Sequence, residues 1–332
     1  MSTQRAVITG GAGFIGSHVA DALLAAGYTV VVIDDLSSGS RANVPVGAQF
    51  QHLDVRSPEA ATLVREGQFD LVVHLAAQMD VRKSVVDPMN DASVNIIGAL
   101  NLLEAVRASP HRPRVVFAST GGAVYGDFIE PPCIETAPKD PESPYGIAKL
   151  SVEYYLAYYA WIHGLDTIVL RFANVFGPRQ SPHGEAGVAS IFCQRILAGR
   201  PLTVFGDGEQ TRDYVFVGDV VRAVLAGAMC PLPAPGRLDD RSFNIGTGVP
   251  TSVLALADAL QRAAGSHMPI EFAPKRPGEQ QRSFVSIDKA ARLLGWSPTV
   301  SLADGLAQTF DWFRAHNDSS PAVATPASSL HK

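Results

Sequence analysis

The chain has 332 residues, 46% of them hydrophobic, and a formal charge of −5 with the two signs interspersed. That is enough apolar material for one large or two closely packed α/β domains, and the mixed charge supplies neither a basic stripe for nucleic acid nor a polybasic segment for a membrane surface. Cys133, Cys193 and Cys230 are too widely spaced for a disulfide framework or a CxxC knuckle; with no signal-like start and no run of membrane-spanning length, a small-molecule partner, no metal, no membrane and a reducing cytoplasm are expected.

Strand-like apolar runs recur at Ala6–Thr9, Thr29–Ile33, Phe50–Leu53, Leu71–Leu75, Val115–Ala118 and Thr167–Leu170, with helix-length stretches between most of them. That alternation predicts an α/β fold with a Rossmann-type, doubly wound parallel sheet. After Asn174 the rhythm becomes irregular, with turn-rich segments such as GPRQSPHGEAG and FGDGEQ, as expected for a smaller C-terminal α/β substrate domain. The expected division is residues 1–177 for a dinucleotide-binding domain and 178–315 for the substrate domain, with SFNIG returning the chain to the first near 241–250. From 316 to 332 the Ser, Pro and Ala composition without apolar period predicts a disordered tail.

The first strand runs into TGGAGFIGSH, which sets Gly10, Gly13 and Gly16 at three-residue spacing where the chain turns into a helix. Glycines there let the backbone approach a pyrophosphate, and the helix N-terminus offers it free N–H groups. About twenty residues on, the second strand ends in Asp34 and Asp35, where a carboxylate accepts from the adenosine ribose hydroxyls and repels a 2′-phosphate. Either element alone also reads as an ordinary turn. Jointly they predict NAD rather than NADP.

SPYGIAK places Tyr145 and Lys149 four residues apart, on one face of a helix. An ammonium and an oxidised nicotinamide beside a phenol both stabilise the phenolate, which otherwise forms only near pH ~10, so Tyr145 is expected to accept a hydroxyl proton during hydride transfer. The spacing is common by chance, and Tyr154, Tyr155, Tyr158, Tyr159 and Trp161 make this helix aromatic-rich in any case, so taken alone the pair reads as structure more often than as chemistry.

In order along the chain stand the glycine-rich turn, LAAQ, ASTGGAVYG, SPYGIAK, RFANVFGPRQ, GDGEQTRDYVFVGD and RPGE. Together they resemble the extended short-chain dehydrogenase/reductase family and, within it, the bacterial UDP-glucose 4-epimerases with Gly-Gly before AVYG, over roughly residues 5 to 313. The resemblance implies catalytic roles for Tyr145 and Lys149. It implies a cofactor set of Gly10, Gly13, Phe14, Ile15, Gly16, Asp34, Asp35, Ser38, Gly39, Leu75, Ala76, Ala77, Gln78, Ser119, Tyr145, Lys149 and Phe172, with Asp54 and Val55 flanking the adenine and Asn95 supporting the lysine. Arg212 and Arg276 are implied to converge on a UDP pyrophosphate, Asn174 and Glu279 to touch the nucleotide and ribose, and Ser283 to be a small gate beside the sugar's 2-position that admits N-acetyl groups. An ion pair of Arg212 with Asp213 or Asp219 is the plainer alternative. His183 reads as a solvated loop histidine.

One departure stands out. Relatives carry Ser or Thr four residues before the YG tyrosine, where this chain has Gly121, so Thr120 or Ser119 must supply the hydroxyl, and Thr120 is favoured. Sugar 4,6-dehydratases of the family carry an Asp-Glu pair where this chain has Gly122 and Ala123, which argues against water elimination. What remains is a redox step that reverses itself, and the resemblance implies that it inverts C4 in a UDP-hexose: Tyr145 takes the 4-OH proton, the C4 hydride passes to NAD, the 4-keto sugar turns over, and the hydride returns to its other face. The rival readings are a dTDP-sugar epimerase or 4-ketoreductase, and a non-catalytic NAD-sensing protein. Helices near Val94–Val106 and Tyr145–Trp161 resemble those that pair in family dimers, so a homodimer is expected.

Overall fold

The computed structural model describes residues 3–182, 187–275 and 280–316. The chain begins with β1 (Arg5–Thr9), α1 (Phe14–Ala25), β2 (Thr29–Asp34), β3 (Gln49–His52), α2 (Pro58–Glu66), β4 (Leu71–His74), α3 (Val81–Val86) and α4 (Pro88–Ala92). It continues through α5 (Gly98–Ala108), β5 (Arg114–Thr120), α6 (Pro144–His163) and β6 (Thr167–Phe172). The second half holds β7 (Asn174–Phe176), α7 (Val188–Leu197), β8 (Leu202–Phe205), β9 (Thr211–Phe216), α8 (Val217–Met229), β10 (Ser242–Ile245) and β11 (Pro250–Ser252). It closes with α9 (Val253–Ala264), β12 (Ile270–Ala273), β13 (Arg282–Ser283), α10 (Asp288–Leu294) and α11 (Leu302–His316).

Seven strands form one parallel sheet in the order β10-β6-β5-β4-β1-β2-β3. Buried on both faces, the inner strands read as unbroken apolar runs such as AVI in β1 and LVV in β4, and all six sequence-predicted strands lie where expected, give or take a residue or two at their ends. One face is covered by α1 with Val19, Ala20 and Leu23, the other by α2, α5 and α6 with Val64, Leu102, Val106, Val152 and Leu156. Strand order reverses between β1 and β4, which opens a crevice at the carboxyl ends of the strands.

A smaller sheet is centred on β9, with β11 antiparallel to it and β13 and β7 parallel. Its helices α7, α9 and α11 enclose a separate core of Phe192, Leu256, Leu260, Phe310 and Phe313. Within SFNIG, β10 pairs with β6 and so sits in the large sheet. The second half is more interleaved than composition suggested: Val220 and Val224 of α8 and Leu294 of α10 pack on the large sheet beside α1, since β6 and β10 need an apolar cover on that face. His316 closes α11 and so belongs to a helix rather than to the tail, whose remaining residues, 317–332, lie outside the described ones.

Candidate active site

The carboxyl edge of β1 is built to let another molecule come close. Gly10 has φ of 71°, and a Cβ on it would lie 2.6 Å from the backbone nitrogen of Ala76; a Cβ on Gly16 would collide with the carbonyl oxygen of Gly10. Helix α1 then starts at Gly13 with no side chain capping it, which leaves first-turn N–H groups directed at the turn, a fit for a dinucleotide pyrophosphate. Phe14 and Ile15 open that helix and pack against the C-terminal core.

The two aspartates at the end of β2 part company. Asp34 is buried over the glycine turn, where its carboxylate accepts from the N–H groups of Ala12 and Leu36, each at 2.9 Å, and burial pushes its titration upward. Asp35 is exposed and accepts from the backbone and hydroxyl of Ser37, so it faces away from the turn. The Ser38–Gly39 loop lies tight on Asp34, a Cβ at Gly39 falling 2.9 Å from Asp34 Oδ1. Asp54 follows β3 and is held by the Arg56 guanidinium, which keeps its carboxyl below the ordinary range, and Val55 next to it is buried. After β4, the Leu75 and Ala76 N–H groups donate to Thr9 O and Oγ1, fixing the start of the Leu75–Gln78 segment. Ser119 and Phe172 are in β5 and β6, so the predicted set gathers along the carboxyl ends of adjacent strands.

Helix α6 begins at Ser143, whose hydroxyl accepts from Gly146 N–H, with Pro144 in the first turn, so Tyr145 and Lys149 project from a capped, rigid start. Lys149 is buried, donates to Ala118 O at 2.9 Å and has its Nζ 5.9 Å from the Tyr145 ring centre. Desolvation lowers its titration to about 8, against the opposing pull of Asp91 and Glu153. The Tyr145 hydroxyl departs from the expectation of an activated phenol: desolvation first, then the Asp91 charge, hold it above the ordinary tyrosine value. Lys149 by itself does not overcome the cost of a phenolate in this shielded place. Asn95 sits in a π-helical turn, Ser93–Ile97, and its side chain bonds Gln78 N, Gln78 O and Asp91 Oδ1, all at 3.0 Å, while Lys149 takes Ala118 O. The Asn95 side chain is thus tied to Gln78 and Asp91, and the Lys149 ammonium to Ala118.

Ser119 and Thr120 point to opposite faces of β5. Ser119 donates to Glu153 Oε1 at 2.5 Å, and Glu153 in turn meets Arg171 at 2.6 Å in a fully buried pair. Thr120 Oγ1 looks into the cleft: a Cβ built on Gly122 would lie 3.9 Å from it, 3.9 Å from Asn174 Oδ1 and 4.0 Å from Ser283 Oγ. Three polar side chains predicted from separate motifs thus meet around one glycine. Strand β9 arranges this, because Asn174 is opposite Tyr214 and Ser283 opposite Arg212 in register. A Cβ on Gly121 would stand 3.1 Å from Val285 Cγ1 and 3.3 Å from Arg171 O, a tight fit that the Val285 side chain would have to ease by a few tenths of an ångström.

The carboxylate of Asp213 accepts from Thr247 and Gly248, and that of Asp219 from Arg222, Thr299 and Val300. Arg276, Glu279 and His183 lie outside the described residues. Two acids of the site escaped the sequence reading, Glu153 and Asp91. Glu153 continues the four-residue spacing of Tyr145 and Lys149, which was a usable signal; Asp91 had none, as an acid in a short helix reads as solvated.

The family description "NAD dependent epimerase/dehydratase" matches residues 6–246 of this chain. The UDP-glucose 4-epimerase of Mycolicibacterium smegmatis is 45% identical over 317 residues, covering 94% of this chain and 99% of its own. The chain belongs to the NAD-dependent epimerase/dehydratase family. Its cofactor is NAD and its chemistry that of an epimerase. The Thermotoga maritima UDP-glucose 4-epimerase structure with UDP-glucose superimposes with a TM-score of 0.90 at 44% identity, covering 95% of this chain and 100% of that one. The Thermus thermophilus UDP-glucose 4-epimerase complex with NAD gives 0.86 at 43% identity, covering 94% and 99%. Among the described residues of this epimerase-family chain, no group of His, Cys, Asp and Glu is arranged to hold a metal ion, and no helix is long and apolar enough to cross a membrane.

Proposed function

We propose that the enzyme inverts C4 of a UDP-hexose, UDP-glucose and UDP-galactose being the interconverted pair, through a 4-keto sugar. The observation that carries this reading is the meeting of Thr120, Asn174 and Ser283 around Gly122, just past the strand β5 whose Ala118 carbonyl accepts from Lys149. A dehydratase needs an acid and a base in this loop; Gly122 and Ala123 have no proton to give.

The glycine turn, Asp34 and the Leu75–Gln78 segment would hold NAD, which when bound would supply a reversible hydride acceptor and a positive charge that offsets the cost of the Tyr145 phenolate. Tyr145 accepts the 4-OH proton and later returns it. Lys149, titrating at about 8, keeps its charge at neutral pH and opposes proton retention by the phenol. Thr120 is a second hydrogen-bond partner for the reacting oxygen and fixes its position. Arg212, beside Ser283 in register, suits the pyrophosphate, with Arg276 and Glu279 of RPGE joining it as the family resemblance implies. Small Ser283 leaves room at the sugar's 2-position, which extends the reading to UDP-N-acetylhexosamines; a Ser283→Tyr variant should lose these and keep UDP-galactose.

The reading includes a homodimer. Ile147, Tyr154, Tyr158 and Trp161 are exposed along one stripe of α6, Trp161 at 70%, a larger aromatic face than a lone surface helix ordinarily shows. Sedimentation of Trp161→Glu as a monomer beside a dimeric parent is the check. The free thiols of Cys133, Cys193 and Cys230 fit a reducing cytoplasm. The activity is tested by NMR of products after incubating the protein, with no NAD added, separately with UDP-galactose and UDP-N-acetylgalactosamine. Conversion to the C4 epimers is expected; absence of any conversion even after NAD is supplied refutes the reading.

A further inference from the structure

Beneath the catalytic pair lies a buried acid to which the reaction scheme above gives no part. Asp91, on α4 where that helix packs against α6, is 1% exposed. Its Oδ1 accepts from Gln78 Nε2 at 2.9 Å and Asn95 Nδ2 at 3.0 Å, closing a knot with the bonds between Asn95 and the Gln78 backbone. Its Oδ2 is buried without a hydrogen-bond partner. A buried carboxylate oxygen in that condition is costly, and its retention calls for a role.

We propose that Asp91 is a positioning residue of the epimerase reaction: Oδ1 fixes Gln78 and Asn95 at the cofactor crevice, and the charge on the unpartnered side of the carboxylate sets the proton balance of Lys149 and Tyr145. This rests on the epimerase reading of the same site. Among the described residues, four titratable groups lie beside or act on Lys149. His74 of β4 is buried and neutral, titrating near 3, so it contributes no change around neutrality. Glu153 of α6 is locked to Arg171. Tyr145 of α6 is the reacting group itself, and Asp91 of α4 is the acid whose charge reaches both Tyr145 and Lys149. In return, Lys149 is the charge that acts on Asp91, whose other neighbours are the Gln78 and Asn95 amides.

A negative charge favours the protonated form of both neighbours, so its removal has a defined sign. Asp91→Asn keeps an acceptor for Gln78 and Asn95 and deletes the charge. Both limbs of the kcat–pH profile, Tyr145 losing its proton on the acid side and Lys149 on the alkaline side, should move to lower pH by about one unit. The melting temperature, recorded alongside, should stay close to the parent's; Asp91→Ser gives the same comparison should the asparagine variant not fold. A fall in kcat at every pH with the limbs in place means a structural role only and overturns the proposal, as does an alkaline shift. The NAD-loaded protein supplies a readout that does not need turnover. Its tyrosinate absorbance, as the difference from Tyr145→Phe, should also move acidward in Asp91→Asn. Failure of the parent to epimerise any UDP-hexose defeats the functional reading alone, whereas an unmoved tyrosinate titration defeats the role of Asp91.

Discussion

Replacing Thr120 and Ser119 one at a time separates two hydroxyls that are adjacent in sequence and opposed in position. Ser119 is tied to Glu153, a carboxylate with no exposure that Arg171 also holds. Ser119→Ala deletes a hydrogen bond to a charged acceptor and should cost about 1.5–3 kcal/mol of stability. The Arg171 contact remains, so the end of β5 stays in place and kcat should change little. Thr120→Val preserves shape on a half-buried side chain whose hydroxyl looks into the cleft, so its stability should stay within about 0.5 kcal/mol of the parent. It removes the second partner of the reacting oxygen, and kcat should fall roughly 100-fold, about 2.7 kcal/mol in the barrier. Urea denaturation and NMR progress curves with UDP-galactose read the two quantities independently. A Thr120→Val enzyme with parental kcat, or a Ser119→Ala enzyme that is stable but inactive, refutes the assignment.

Gly16→Ala should abolish NAD retention, because the added Cβ meets the Gly10 carbonyl, a backbone atom with nowhere to go; the absorbance spectrum of the purified variant reports bound cofactor. Arg171→Met leaves Glu153 as a buried unpaired charge and should destabilise by about 3–5 kcal/mol in urea denaturation, far more than loss of an exposed ion pair such as Arg314–Asp311. Turnover should decline as pH rises through about 8, where Lys149 loses its proton. Stability has the opposite sign: unfolded lysine keeps its proton to near ~10.4, so unfolding takes up a proton between the two values and the folded enzyme gains stability as pH rises through that window. Lys149→Met should be inactive and should lack this gain in denaturation curves compared across the window.

The sequence by itself determined the large sheet, the glycine turn and the Tyr145–Lys149 pair. Each is written in short-range periodicity: apolar runs where both faces of a parallel strand are buried, glycines where a backbone must pass close, four-residue spacing where two side chains share a helix face. Tertiary structure alone decided what depends on partners far along the chain. It sent Asp34 over the glycine turn and Asp35 to solvent, turned Ser119 toward Glu153 and Thr120 toward Gly122, and laid α8 on the large sheet although β9, which leads into it, belongs to the small one. It also brought Asn174, Ser283 and Thr120 around Gly122 through the register of β9, and buried Asp91 beneath the catalytic pair. The physical reason is that a residue's period fixes which way it faces along its own element, whereas the burial of a carboxylate and the meeting of side chains from three strands follow from packing and register between elements.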